Sequence, residues 1–164
     1  MESAIQRSCF DCVLRPDRPF CDLPVDALQS FDEIKTVQNC PRGTVLFREG
    51  QPGRAVFVLC DGRAKLSVCS ESGKRLILRI AGRGEVLGLS ASLSGCPYEV
   101  TAELLDDSQV AVVKRKDLLA YLRGHGEVCL QVIHLLSEDL HAAYERVRSV
   151  GLVRPRRTPA RFSQ

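Results

Sequence analysis

Tryptophan is absent and methionine occurs only at Met1, so an interior must be built from valine, leucine, isoleucine and the six phenylalanines. No apolar run approaches the roughly 20 residues that a membrane helix needs. Met1–Gln6 carries no basic stretch ahead of an apolar one, so no secretory leader is read and the cytoplasm is the expected compartment. Neither a Gly-rich Lys-Ser phosphate loop nor a Gly-x-Ser-x-Gly nucleophile turn occurs. The glycines of "GRGEVLG" (82–88) follow strand-like segments rather than a strand-to-helix unit. No enzyme is expected.

Compositional evidence for nucleic-acid binding is also missing. The net charge of +3 depends on Arg154, Arg156, Arg157 and Arg161 in the last twelve residues; without them 19 basic residues face 20 acidic ones. Four arginines among prolines read as a disordered basic tail over 152–164, not a DNA clamp.

Cysteine, by contrast, is plentiful. Eight occur, and in a reducing compartment they point to metal, redox chemistry or packing. Cys9, Cys12 and Cys21, with Cys40 further on, lie near the N-terminus. Cys60, Cys69, Cys96 and Cys129 fall inside strand-like or helix-like patterns; Cys60 and Cys69 read as buried packing groups.

Residues 1–22 read as a polar, cysteine-rich segment broken by Pro16 and Pro19. Pro24 ahead of Val25, Leu28 and Phe31 predicts a short helix. Between Ile34 and Lys114 short apolar runs recur about every ten residues with turn residues between them. The runs are 34–38, 44–47, 56–60, 64–69, 76–80, 85–87, 99–104 and 109–114. Asp61-Gly62 reads as a two-residue hairpin turn. Eight such strands predict a β-roll or jelly roll over 23–123.

The period then becomes helical. Lys116–Arg123 predicts a short helix, and a long one follows from about Glu127 to Val150 within a segment 124–151. Cys129, Ile133, Leu136, Leu140, Ala143, Val147 and Val150 are spaced 4, 3, 4, 3, 4 and 3 apart, the step of a coiled-coil seam. This stripe predicts a homodimer. A shorter stripe, Val128, Val132 and Leu135, reads as packing inward. His134 and His141, seven apart, share one helix face and read as solvated rather than haem ligands.

The stretches "PRGTVLFREGQPGRAVFVLCDGRAKLSV" and "GEVLGLSASLSG", with the long helix after them, resemble the CRP/FNR family of transcription regulators. The resemblance implies a cyclic-nucleotide-binding β-roll, a dimerisation helix, and a helix-turn-helix domain beyond it that reads DNA. Only thirteen residues follow Gly151, and none forms the paired helices of that motif. The chain as given is therefore not expected to read DNA alone; its partners would be a second copy and full-length family members.

Nucleotide-binding members hold the phosphate with a Gly-Glu-Leu start and a later Arg-Ser or Arg-Thr pair. Gly84 and Glu85 match the start, but Cys96-Pro97 stands at the arginine position, and no basic residue occurs between Arg83 and Lys114. A phosphate site lacking its cation loses its charge-assisted bonds, so no cyclic nucleotide is expected. Cys9-x-x-Cys12 with Cys21 resembles the oxygen-sensing FNR branch, which implies an iron–sulfur cluster on N-terminal cysteines. The gap from Cys12 to Cys21 is longer than usual there. That branch takes its fourth ligand near "DDSQVAVV", which offers Ser108 and Ala111 but no cysteine. Cys40, Cys96, Cys129 and Asp107 are the alternatives; Cys40 is nearest in sequence and is taken as the fourth. Zinc on the same thiolates and a thiol–disulfide switch remain open. So do a ligand-free interaction module and a sensor of another small molecule.

Overall fold

A computed structural model describes residues 8–10, 12 and 21–151. The expected basic tail and most of the N-terminal segment lie outside these residues. Twelve elements follow in order: α1 (Val25–Ile34), β1 (Lys35–Cys40), β2 (Val45–Phe47), β3 (Ala55–Asp61), β4 (Ala64–Cys69), β5 (Arg75–Ala81), β6 (Val86–Leu87), α2 (Leu89–Ser94), β7 (Thr101–Leu104), β8 (Ser108–Lys114), α3 (Arg115–Gly124) and α4 (Gly126–Gly151). All eight predicted strands are present, each within two residues of its expected ends.

The strands form two antiparallel four-stranded sheets, ordered β1-β8-β3-β6 and β2-β7-β4-β5. Alternation along each strand sends one set of side chains between the sheets. Phe47, Leu59, Leu66, Leu87, Tyr98, Leu104 and Val110 meet there as a single core. Tyr98 stacks on Phe47 with ring centroids 4.1 Å apart.

The Asp61-Gly62 turn departs from its reading. β3 and β4 belong to different sheets, so the turn carries the chain from one layer to the other and is not a hairpin. The positive backbone angle is real: Gly62 has φ +98°. The local signal therefore specified a tight reversal but not which strands pair. The hairpin lies one step later, between β4 and β5.

Helix α2 is an addition to the sequence reading. Six residues are too few to show a helical period, and the helix is bracketed by Gly88 and Gly95, both left-handed. Pro24 stands immediately before α1, whose Leu28 N–H donates to the Pro24 carbonyl at 2.8 Å. Helix α1 packs on α3: Phe31 and Tyr121 lie 5.9 Å apart, and the Tyr121 hydroxyl donates to the Ala27 carbonyl at 2.9 Å.

The chain divides into two compact units, with the boundary at Gln131/Val132 inside α4. In the first unit Val128 is fully buried. In the second, Ile133, Leu140, Tyr144, Val147 and Val150 are all exposed.

Candidate functional site

Cys9, Cys12 and Cys21 line one cavity of about 20 Å³. Its floor is the face of the first sheet that looks away from the core. Leu59 and Val110 point between the sheets, whereas Val58 on β3 and Ala111 on β8, paired in register, look into the cavity. Both are buried although they lie on an outer face. Phe31 of α1, Ser8 and the three cysteines also line the cavity.

The fourth cysteine there is Cys60. Leu59 pairs with Val110 and Asp61 with Gln109, so β3 carries one more residue than β8 across this step. Cys60 is that extra residue. It follows Val58 by two residues and so shares its outer face by ordinary strand alternation. Cys40, taken as the fourth ligand, is not among the lining residues. It pairs with Ser108 at the end of β1 and packs against the core between the sheets. Cys96 is exposed beside α2, and Cys129 donates its thiol to the Leu122 carbonyl at 3.1 Å. Cys69, expected inside, is exposed.

Two charged residues that the sequence reading passed over organise the site. Asp32, in the last turn of α1, accepts the Ser8 hydroxyl at 2.7 Å and the Cys9 backbone N–H at 3.0 Å. Lys35 Nζ lies 2.6 Å from Asp32 Oδ1 and donates to Cys9 Sγ at 2.8 Å. The Lys35 side chain is only 3% exposed. A buried ammonium needs a counter-charge, and Asp32 supplies it.

These contacts set the protonation. Burial pushes the Cys9 thiol up to about 12, against the opposing pull of Lys35. Burial alone would raise the Asp32 carboxyl, but hydrogen bonds from Lys35, Ser8 and Cys9 outweigh it and hold the group below its ordinary value. Burial would likewise lower Lys35, yet its bonds to Asp32 and Cys9 hold it above. Among the described residues no three His, Cys, Asp or Glu side chains stand close enough together to hold a metal ion.

The phosphate-cassette positions lie elsewhere, at β6 and α2. Gly84 has φ +81° and donates to the Leu59 carbonyl at 2.7 Å. The Glu85 carboxylate accepts from Arg79 at 2.6 Å and from the Gly82 N–H. Pro97 forms a β-bridge with Pro52. Arg115, the first residue of α3, places its guanidinium beside Gly95. It is held there by a 2.7 Å bond to the Ser92 carbonyl.

Residues 37–125 match the sequence profile of the cyclic nucleotide-binding domain. The chain belongs to that family. CRP/FNR regulators are among its relatives. The chain is 28% identical to the transcriptional activator protein Anr of Pseudomonas aeruginosa, over 82% of its own length and 55% of that protein's. It is 24% identical to the anaerobic regulatory protein of Bacillus subtilis, over 77% and 54%. It thus spans about half the length of either regulator. The catabolite activator protein of Thermus thermophilus shares the fold with a TM-score of 0.73 at 22% identity, covering 81% of this chain and 62% of that one. Among the described residues of this cyclic nucleotide-binding domain, no helix is long and apolar enough to cross a membrane.

Proposed function

We propose that this CRP/FNR-type regulatory domain senses oxygen or redox state through an iron–sulfur cluster held by its N-terminal cysteines. The observation that carries the reading is that Cys9, Cys12 and Cys21 line one cavity beside a buried lysine. Thiolates are the ligands such clusters take, and Lys35, its charge balanced by Asp32, already donates a hydrogen bond to Cys9 Sγ there. When bound, the cluster would supply oxygen-labile redox chemistry. The cavity is water-sized and its thiols do not yet converge, so loading requires the thiols to draw together. Asp32 holds Ser8 and Cys9 to α1. The Gln131 side-chain amide donates to the Asp22 carbonyl at 3.2 Å, which ties the residue after Cys21 to the start of α4. A change at the cysteines would thereby reach the helix through which two copies pair. DNA would be read by a helix-turn-helix domain in the same polypeptide or in a full-length partner.

Cyclic nucleotide is not the proposed effector. Glu85 is already engaged by Arg79 and Gly82, Cys96-Pro97 offers no cation, and Tyr98 fills the space between the sheets. Calorimetry with cyclic AMP and cyclic GMP is expected to show no heat of binding; micromolar affinity for either would refute this part.

Anaerobic purification with iron, sulfide and absorbance analysis tests the cluster. A brown protein with about four irons per chain is expected. A colourless one, with stoichiometric zinc or no metal, rules the cluster out.

A further inference from the structure

We infer that Cys60 is the fourth thiolate of this site. The inference rests on the metal-sensor reading above and names the ligand which that reading leaves open. Three observations support it. Cys60 lines the same cavity as Cys9, Cys12 and Cys21, and no other cysteine among the described residues does. It lies two residues beyond Val58 on β3, just before the register shift at Asp61. Strand alternation therefore sends it to the same outer face as Val58, opposite to Leu59. And Cys60 belongs to a strand of the sheet, whereas the other three thiols lie ahead of α1. One ligand on a strand and three ahead of α1 would tie the N-terminal cysteines to the roll. Each thiol entering the site would pass its proton to solvent as its sulfur bonds to the metal.

Cys40, the competing candidate, points the other way. It lies at the far end of β1 and packs against the core between the sheets, on the opposite side of that sheet from the cavity. A Cys40 ligand would require β1 to turn over, breaking its register with β8. Cys60 needs no such change.

The neighbouring strand offers a rescue. Ala111 of β8 is buried and lines the same cavity. A cysteine there would put a thiol into the cavity without Cys60, at the cost of one sulfur atom in a site with about 20 Å³ of room.

The test uses the full chain, reconstituted anaerobically with ferrous iron and sulfide and, separately, titrated with zinc. Iron, sulfide, zinc and the visible spectrum are read for wild type, Cys60→Ala, Cys40→Ala and the double variant Cys60→Ala/Ala111→Cys. Circular dichroism melts confirm that each is folded. Cys60→Ala is expected to lose at least half of the bound metal and change the spectrum. Cys40→Ala should match wild type, and the double variant should regain metal. If wild type binds iron and Cys60→Ala is indistinguishable from it, or if Cys40→Ala is the variant that fails, the Cys60 assignment falls while the cluster reading stands. If wild type takes zinc but not iron and Cys60→Ala loses it, the cluster reading falls and Cys60 remains a ligand. If wild type takes neither metal, both fall.

Discussion

Asp32 does two things with one carboxylate. It neutralises a lysine that is almost wholly out of water, and it fastens the Ser8-Cys9 backbone to α1. Its depressed pKa means that the folded state favours the ionised form. The resulting stability is complete above the unfolded value of about 3.9 and is lost as pH falls through that value toward the lower folded one. Hydrogen bonds to a charged group contribute about 1.5–3 kcal/mol each. Asp32→Asn should therefore lower unfolding free energy in urea by about that amount at pH 7. The gap to wild type should close on acidification below about pH 4. A gap that is unchanged at pH 3 would show that the carboxylate charge is not the source. Cys9, held as a thiol by burial, illustrates why an N-terminal cysteine is not reactive merely by position.

At the scale of elements, the turns carry much of the specification, and they do so by different means. Gly43 and Gly62 both have positive φ. A Cβ on Gly43 would meet nothing within 4 Å, whereas on Gly62 it would lie 2.0 Å from the Ser108 hydroxyl oxygen. Gly43→Ala should cost only the left-handed strain, about 1–2 kcal/mol. Gly62→Ala adds a collision at the place where the chain changes sheets, and it should cost clearly more. Thermal melts of the two variants side by side would check this. Equal losses would mean that the crossing relaxes freely and that close packing of β8 against the turn is unimportant. Helix α1 shows the same economy: its contact with α3 joins a ring pair to the Tyr121–Ala27 hydrogen bond, so α1 is fixed in place beneath the Asp32 anchor.

At the scale of the whole molecule, the outstanding feature is apolar surface left in water. Ile133, Leu140, Val147 and Val150 are 54–76% exposed and follow the seam spacing along α4. Burying each is worth about 1.5–3 kcal/mol, and a symmetric pair would bury eight. Scaled to the part still exposed, the gain is of the same order as the roughly 4–15 kcal/mol that association costs. The proposed homodimer would form through this stripe. Light scattering should give twice the chain mass for wild type and the single-chain mass for Leu140→Glu/Val147→Glu, with an unchanged β-sheet spectrum. A double variant that stays dimeric would place the interface elsewhere. The exposed Leu76, Ile77 and Ile80 of β5 are the first alternative to examine.

What the sequence by itself determined is local. Turn glycines and alternating apolar residues marked eight strands, because side-chain period and backbone angle are properties of neighbouring residues. The 3.5-residue step marked α4 for the same reason. The three N-terminal cysteines and the cassette without its arginine were legible as residue types. The tertiary structure alone decided which strands share a sheet, since pairing joins residues as distant as Lys35 and Val113. It alone turned Asp61-Gly62 into a crossing between layers, set Asp32 and Lys35 against Cys9, and separated Cys60 from Cys40. Those last two cysteines look alike along the chain, each at the end of a strand-like run. Alternation puts them on opposite faces of one sheet, but which face carries the cavity is decided by what packs on it, and that joins residues far apart in the chain.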